Sequence, residues 1–128
     1  RTPKEVEEFA TSAKERGIKV IIGAAGMAAH LCGVIASMTS IPVIGVPIKA
    51  SLEGVDALYS IVQMPPGIPV ATVGINAAEN AALLAVQMMA TSDEELYRRL
   101  EAYKESLKEK VVKANKELSE VKFAHKTN

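Results

Sequence analysis

The segment Gly23-Ala24-Ala25-Gly26-Met27-Ala28-Ala29-His30 is the part of this chain best suited to chemistry. Small residues let a backbone come close to a ligand. A helix that follows offers free N–H groups to an anion or a polar ring substituent. His30, expected about one turn into that helix, is of the type that most often gives and takes protons near neutral pH. The G-x-x-G spacing matches neither the dinucleotide fingerprint nor the Walker pattern. Taken alone, small residues after a strand more often serve tight strand–helix packing, and a lone His is more often structural. The residues by themselves leave both readings open.

The remaining candidates are few. Cys32 reads as a small packed residue. Asp56, Glu53 and Glu79 are the acids nearest the candidate loops, and the first two fall near a helix start, where acids cap and offset the dipole. No Ser–His–Asp or Cys–His set can be assembled, and two His without clustered carboxylates argue against a metal site. Arg1 precedes the first helix. An Arg there can hold a phosphate bidentately, although a solvated terminal residue is the simpler reading.

These residues need elements to position them. Thr2-Pro3-Lys4-Glu5 predicts a helix start, with Thr2 as cap, Pro3 at the first position and Glu5 closing a capping box. Val6, Phe9, Ala10 and Ala13 share one face, and Gly17 is the stop. Residues 18–22 predict a strand, followed by a Gly/Ala turn and a helix over 28–39. Residues 43–46 predict a second strand, ended by Pro47. A helix over 55–63 is broken by Pro65-Pro66-Gly67. A third strand over 70–73 and an Ala-rich helix over 76–90 follow. Ser92-Asp93-Glu94-Glu95 is a second capping box and opens the last helix.

Alternation of this kind predicts a parallel sheet with helices on both faces, its apolar strands buried from both sides. Ligands of such sheets bind beyond the carboxyl ends of the strands, which groups residues 23–30, 47–54 and 74–80. Val20, Ile21 and Ile22 in a row suit a central strand and not an exposed edge. The chain also opens on a helix cap with no strand to feed it. Both features lead to the expectation that a strand-bearing segment precedes Arg1 or comes from another chain. In the last helix, Leu96, Leu100, Tyr103, Leu107, Val111, Ala114 and Leu118 form one continuous apolar stripe. The stripe is longer than the core of such a domain is wide, so part of it is expected to bury on another subunit. The alternative is a helix that wraps its own domain and frays after Val112.

Composition narrows the function. The chain has 128 residues, enough for one domain, and 15 Lys plus Arg balance 15 Asp plus Glu. That balance argues against a polyanion-binding protein, and the absence of Trp argues against stacking platforms for single strands. The single Cys excludes an internal disulfide framework and suits a reducing compartment. No apolar run reaches the ~20 residues that span a bilayer. The charged opening is not a secretory signal. A cytoplasmic protein is the expectation.

The segment from Gly23 to Gly33, the run Ile41-Pro42-Val43-Ile44-Gly45-Val46-Pro47 and the run Tyr59-Ser60-Ile61-Val62-Gln63-Met64-Pro65 carry a more specific signal. With Gly67-Ile68-Pro69-Val70 and Asn80-Ala81-Ala82-Leu83-Leu84-Ala85, this set resembles the N5-carboxyaminoimidazole ribonucleotide mutase family. The Ala28-Ala29-His30-Leu31-x-Gly33 run points to the mutase class and away from the related aminoimidazole ribonucleotide carboxylases.

The resemblance implies a flavodoxin-like, three-layer αβα fold with a parallel sheet lacking its first two strands, and a long C-terminal helix. It divides the chain into an α/β core over 1–91 and an oligomerisation helix and tail over 92–128. It implies an isomerase of de novo purine biosynthesis, acting on a small ribonucleotide without metal or organic cofactor, cytoplasmic and octameric, with no nucleic-acid or membrane partner. It assigns His30 to the catalytic site and Arg1, Ala25, Gly26 and Leu31 to the substrate, Arg1 at its phosphate.

Arg1-Thr2-Pro3 matches the end of the family's Ser-Ala-His-Arg-Thr-Pro motif. The Ser and His of that motif, and a Gly-Ser-x-Ser-Asp loop, would precede Arg1, so the 128-residue chain alone is expected to be inactive. An inactive assembly module and a direct carboxylase are the alternative readings. Met27 stands where the family has Gly, Cys32 where it has Pro, and the loop before Gly54 is one residue short. Ala124-His125-Lys126-Thr127 echoes the motif and reads as coincidence in a tail.

Overall fold

The computed structural model describes residues 1–121, so the echo at Ala124 to Thr127 lies outside the described residues. The chain divides into two compact units, Arg1–Met89 and Ala90–Asn128.

In the first unit, helix α1 (Pro3–Ser12) begins at Pro3 as the sequence predicts. The capping box does not form. Thr2 has ψ 62°, away from the extended geometry that aims a hydroxyl at the first amides, and it accepts the Val6 N–H through its backbone carbonyl at 3.2 Å. Gly17 provides the stop with φ +78°, and the Ile18 N–H closes on the Ala13 carbonyl at 3.1 Å.

Strands β1 (Ile21–Gly26), β2 (Val43–Ile48) and β3 (Ala71–Thr72) form one parallel sheet in the order β1-β2-β3. Pairing corrects the sequence reading at two places. β1 starts three residues later than expected and runs through Gly23-Ala24-Ala25-Gly26, because its register with β2 continues from Ile21↔Val43 to Gly26↔Ile48. Pro47 does not end β2. It sits opposite Ala25, and its carbonyl accepts the Asn76 N–H at 2.8 Å on the side where β3 has already stopped, so no strand partner there needs the missing Pro donor.

The pleat sends alternate side chains into two apolar layers. Ile21 and Val43 pack with Ala10 and Ala13 of α1, Cys32 and Ile35 of α2 (Leu31–Met38), and Ala57 and Ile61 of α3 (Val55–Val62). Ile44 and Val46 pack with Ala81 and Ala85 of α4 (Ala78–Ala90) on the other face. The result is the expected three-layer, open, flavodoxin-like arrangement. Gly23 and Gly45 are register partners, and the absence of both Cβ atoms leaves the depression that Cys32 Sγ and the Ile61 side chain fill. The apolar β1, which the sequence leads one to expect beside a further strand, has no such partner among the described residues. It lies at a sheet edge, and Ile22 is 44% exposed.

In the second unit, α5 (Glu94–Ser119) runs unbroken past Val112. Its cap is Asp93 rather than Ser92: Asp93 has the extended backbone of a cap, and its Oδ1 accepts the Leu96 N–H at 2.9 Å. Leu107, Val111 and Leu118 on this helix are exposed. Among the described residues, no helix is long and apolar enough to cross a membrane.

Candidate active site

Among the described residues, the segments leaving the carboxyl ends of the three strands carry every positive-φ residue other than glycine. These are Met27 (57°), Ala29 (37°), Leu52 (42°), Glu53 (57°) and Asn76 (59°). Such conformations cost about 1–3 kcal/mol each and persist where the surroundings over-determine them. Their collection at one pole marks the place where the backbone is shaped for something other than stability.

Ala25 and Gly26 are the last residues of β1. The Gly26 carbonyl accepts the Ala29 N–H at 3.1 Å, closing a turn, and His30 then caps α2. This corrects the expected position of His30 one turn into the helix. Because β1 consumes the Gly/Ala run, the helix starts later, at Leu31. His30 is exposed, its side chain makes no cap bond, and its carbonyl accepts the Val34 N–H at 3.0 Å. The imidazole is therefore not committed to the structure of the helix end.

The Leu31 side chain packs against the apolar layer. It also lines a groove of about 300 Å³ with Glu5, Val6, Phe9 and Ile22. Arg1 is exposed, just before α1, whose first turn shares that groove with Gly23 and Ala24. Ala25, Gly26, His30 and Leu31 thus lie on one strand–turn–helix segment, with Arg1 just before the first turn of α1. Cys32 is fully buried. Its Sγ–H donates to the Gly23 carbonyl at 3.3 Å, and burial pushes its thiol pKa up, against the pull of backbone hydrogen bonds. A protonated, inaccessible thiol is a packing element, as the sequence suggests.

The second and third segments form a backing for the first. A Cβ on Gly26 would stand 3.1 Å from the Ile48 carbonyl oxygen and 3.2 Å from Ala50 Cβ, so the two loops touch through a glycine. Asn76 accepts the Lys49 N–H on its Oδ1 at 2.9 Å while donating its own N–H to Pro47. Asp56 accepts the Ser51 hydroxyl in a short hydrogen bond and the Ala57 N–H at 2.9 Å. Glu53 pairs with Lys49. Asp56 and Glu53 therefore order the loop, in keeping with their reading as residues of a helix start. Asn76 does not stand out in the sequence. The available signal was that Asn is among the few side chains that tolerate a left-handed backbone.

Among the described residues, no three His, Cys, Asp or Glu side chains gather in a way that could hold a metal ion. A larger cavity of about 670 Å³ lies at the opposite pole, between residues 36–43 and Gly67, Ile68 and Pro69. It has no ionisable lining group, so its size carries no chemistry.

The sequence that builds this sheet and its His-capped turn matches the AIR carboxylase family over residues 1–110, and the chain belongs to that family. Within it, the chain is 59% identical over 109 residues to the N5-carboxyaminoimidazole ribonucleotide mutase of Pyrococcus abyssi, covering 84% of this chain and 63% of that protein. It is 49% identical over 129 residues to the mutase of Thermotoga maritima, covering 100% of this chain and 75% of that protein. It is also 54% identical over 118 residues to the phosphoribosylaminoimidazole carboxylase of Saccharomyces cerevisiae, covering 91% of this chain and 21% of that protein. The chain thus spans less than two thirds of the Pyrococcus relative. The resemblance read from the residues is borne out.

Proposed function

We propose that the protein to which this chain belongs is an isomerase of purine biosynthesis, converting N5-carboxyaminoimidazole ribonucleotide to 4-carboxyaminoimidazole ribonucleotide. The observation that carries this reading is an uncommitted His30 at the end of a Gly/Ala strand, in a chain 59% identical to a mutase. In the reaction the bond between the exocyclic nitrogen and its carboxyl carbon breaks, releasing carbon dioxide, and the nitrogen takes a proton. The ring carbon then bonds to the carbon dioxide and gives up its own proton, so the net proton count is unchanged. The site must keep carbon dioxide from escaping and must both supply and accept a proton.

His30 is the residue of this chain for proton movement. Ala25 and Gly26 let the imidazole ring lie close to the backbone. Leu31 contributes through its N–H, which the helix leaves unpaired at its first position, since its side chain is committed to the apolar layer. Arg1 holds the phosphate. The exposed Leu107, Val111 and Leu118 of α5 support assembly of copies through this helix, with an octamer as the family-level expectation and the cytoplasm as the place of work.

The test is His30→Asn in the full-length protein, with turnover followed by the formation of the carbon-carboxylated product. A loss of about 100-fold or more with unchanged thermal unfolding supports the role. Activity within a factor of about three removes His30 from proton transfer. The relative named as a carboxylase favours a second reading, in which aminoimidazole ribonucleotide is carboxylated directly. Turnover of that substrate with bicarbonate, with none of the N5-carboxylated one, would select it.

A further inference from the structure

We infer that Asn76 is a positioning residue for the site, acting through the loop after β2 on the Gly/Ala turn that carries His30. The inference rests on the proposed mutase function. Asn76 joins two loops by two hydrogen bonds of opposite sense: its N–H donates to the Pro47 carbonyl at 2.8 Å, and its Oδ1 accepts the Lys49 N–H at 2.9 Å. It holds this bridge with φ +59°, a conformation costly for most side chains but tolerated by Asn.

The bridged segment is the one against which Gly26 rests, through the Ile48 carbonyl and Ala50 Cβ. A second contact fixes the same pair of loops. Gly54 has φ +84°, and a Cβ there would stand 2.8 Å from Ile75 Cγ2 and 3.2 Å from Lys49 Cα. The line of contact therefore runs from Asn76 to Lys49, to the chain on either side of it, to Gly26 and so to the turn ending at His30. Ile48 is held by its pairing with Gly26 and by the second apolar layer, but Lys49 and Ala50 are exposed, so beyond Ile48 the segment depends on this bridge, the Gly54 contact and the Lys49–Glu53 pair. Without the Oδ1 acceptor Lys49 and Ala50 lose one of these holds, and the Ala50 side of the Gly26 contact loosens. Small displacements of reacting groups cost rate rather than affinity.

Three variants of the full-length protein separate the side chain from the backbone. Asn76→Gly keeps the left-handed backbone and the bond to Pro47 but removes the acceptor. Asn76→Asp restores an acceptor oxygen. Asn76→Ala loses both the acceptor and the backbone tolerance. Amide hydrogen exchange at Lys49 reads the bridge directly, and kcat and KM for the N5-carboxylated substrate read its consequence. In Asn76→Gly the Lys49 amide should exchange about fivefold faster, as expected for one lost hydrogen bond. Its kcat should fall about tenfold while KM changes less than threefold, and Asn76→Asp should recover most of both.

Lys49 protection in Asn76→Gly equal to wild type overturns the inference. So does lost protection with unchanged kcat, or a loss confined to Asn76→Ala, which would assign the effect to the backbone. Absence of mutase turnover in the wild type is a failure of the functional reading, visible before any variant is compared. It removes the positioning role with it, while the exchange data still report the bridge.

Discussion

The sharpest structural test lies beneath the His30 turn, where Gly23 faces Cys32. A Cβ added to Gly23 would stand 3.0 Å from Cys32 Sγ and 3.6 Å from its Cα. Favourable heavy-atom contact begins at about 3.5 Å, so the pair is short by about half an ångström. Relief through the Cys32 side chain is limited, because Sγ is also 3.4 Å from the Cβ position of Gly45 and the residue is fully buried. Overpacking of this kind costs about 1–3 kcal/mol, and reduced freedom of the unfolded chain returns about 0.5 kcal/mol. Gly23→Ala should therefore lose about 1–2 kcal/mol. Cys32→Ala alone should lose about 1 kcal/mol, from a vacated sulfur site and the lost bond to the Gly23 carbonyl.

The double variant places the new methyl where the sulfur was. It should be no less stable than Gly23→Ala, which makes the coupling at least about 1 kcal/mol in its favour. The assay is urea unfolding of the four proteins at one pH, comparing midpoints at constant slope. Additivity of the two single losses within about 0.5 kcal/mol would refute the reasoning, since it would mean the methyl and the sulfur do not compete for the same space. Because Cys32 follows His30 by two residues, Gly23→Ala should also lower turnover, and the double variant should restore part of it.

Three further outcomes follow from other places in the molecule. Met27→Gly should raise the urea midpoint by an amount equivalent to up to about 1 kcal/mol, because Met27 sits at φ 57° with an exposed side chain; a lower midpoint would show that its side chain contributes more than its backbone costs. Asp93→Ala should cost about 1 kcal/mol of stability and some helical ellipticity, whereas Asp93→Asn should keep most of both, since Oδ1 is the acceptor for the Leu96 N–H. Cys32 has a pKa raised by burial, so the native state holds its proton more tightly than the unfolded state does. Its contribution is therefore whole below the unfolded thiol value of about 8.5 and is lost as pH rises through the folded value. Unfolding midpoints measured from pH 7.5 to 10 should fall more steeply in wild type than in Cys32→Ala; equal slopes would contradict it.

The order of elements was legible in the sequence because it depends on local signals. Pro3 and Gly17 bound a helix, Pro65-Pro66-Gly67 breaks another, and apolar runs alternate with amphipathic ones. The candidate turn was legible for the same reason, since small residues before a His are visible without coordinates. What the sequence could not give is where each strand stops. β1 runs on through Gly23 to Gly26, and β2 through Pro47, because strand ends are set by the partner's register and not by propensity. That shift moved His30 from inside a helix to its cap, where its side chain makes no cap bond. Asn76 escaped notice because its partner, Lys49, is 27 residues away and the bond runs between two loops. Local residue preferences chose the elements and their order, while non-local pairing chose their ends, and the site is built from the ends.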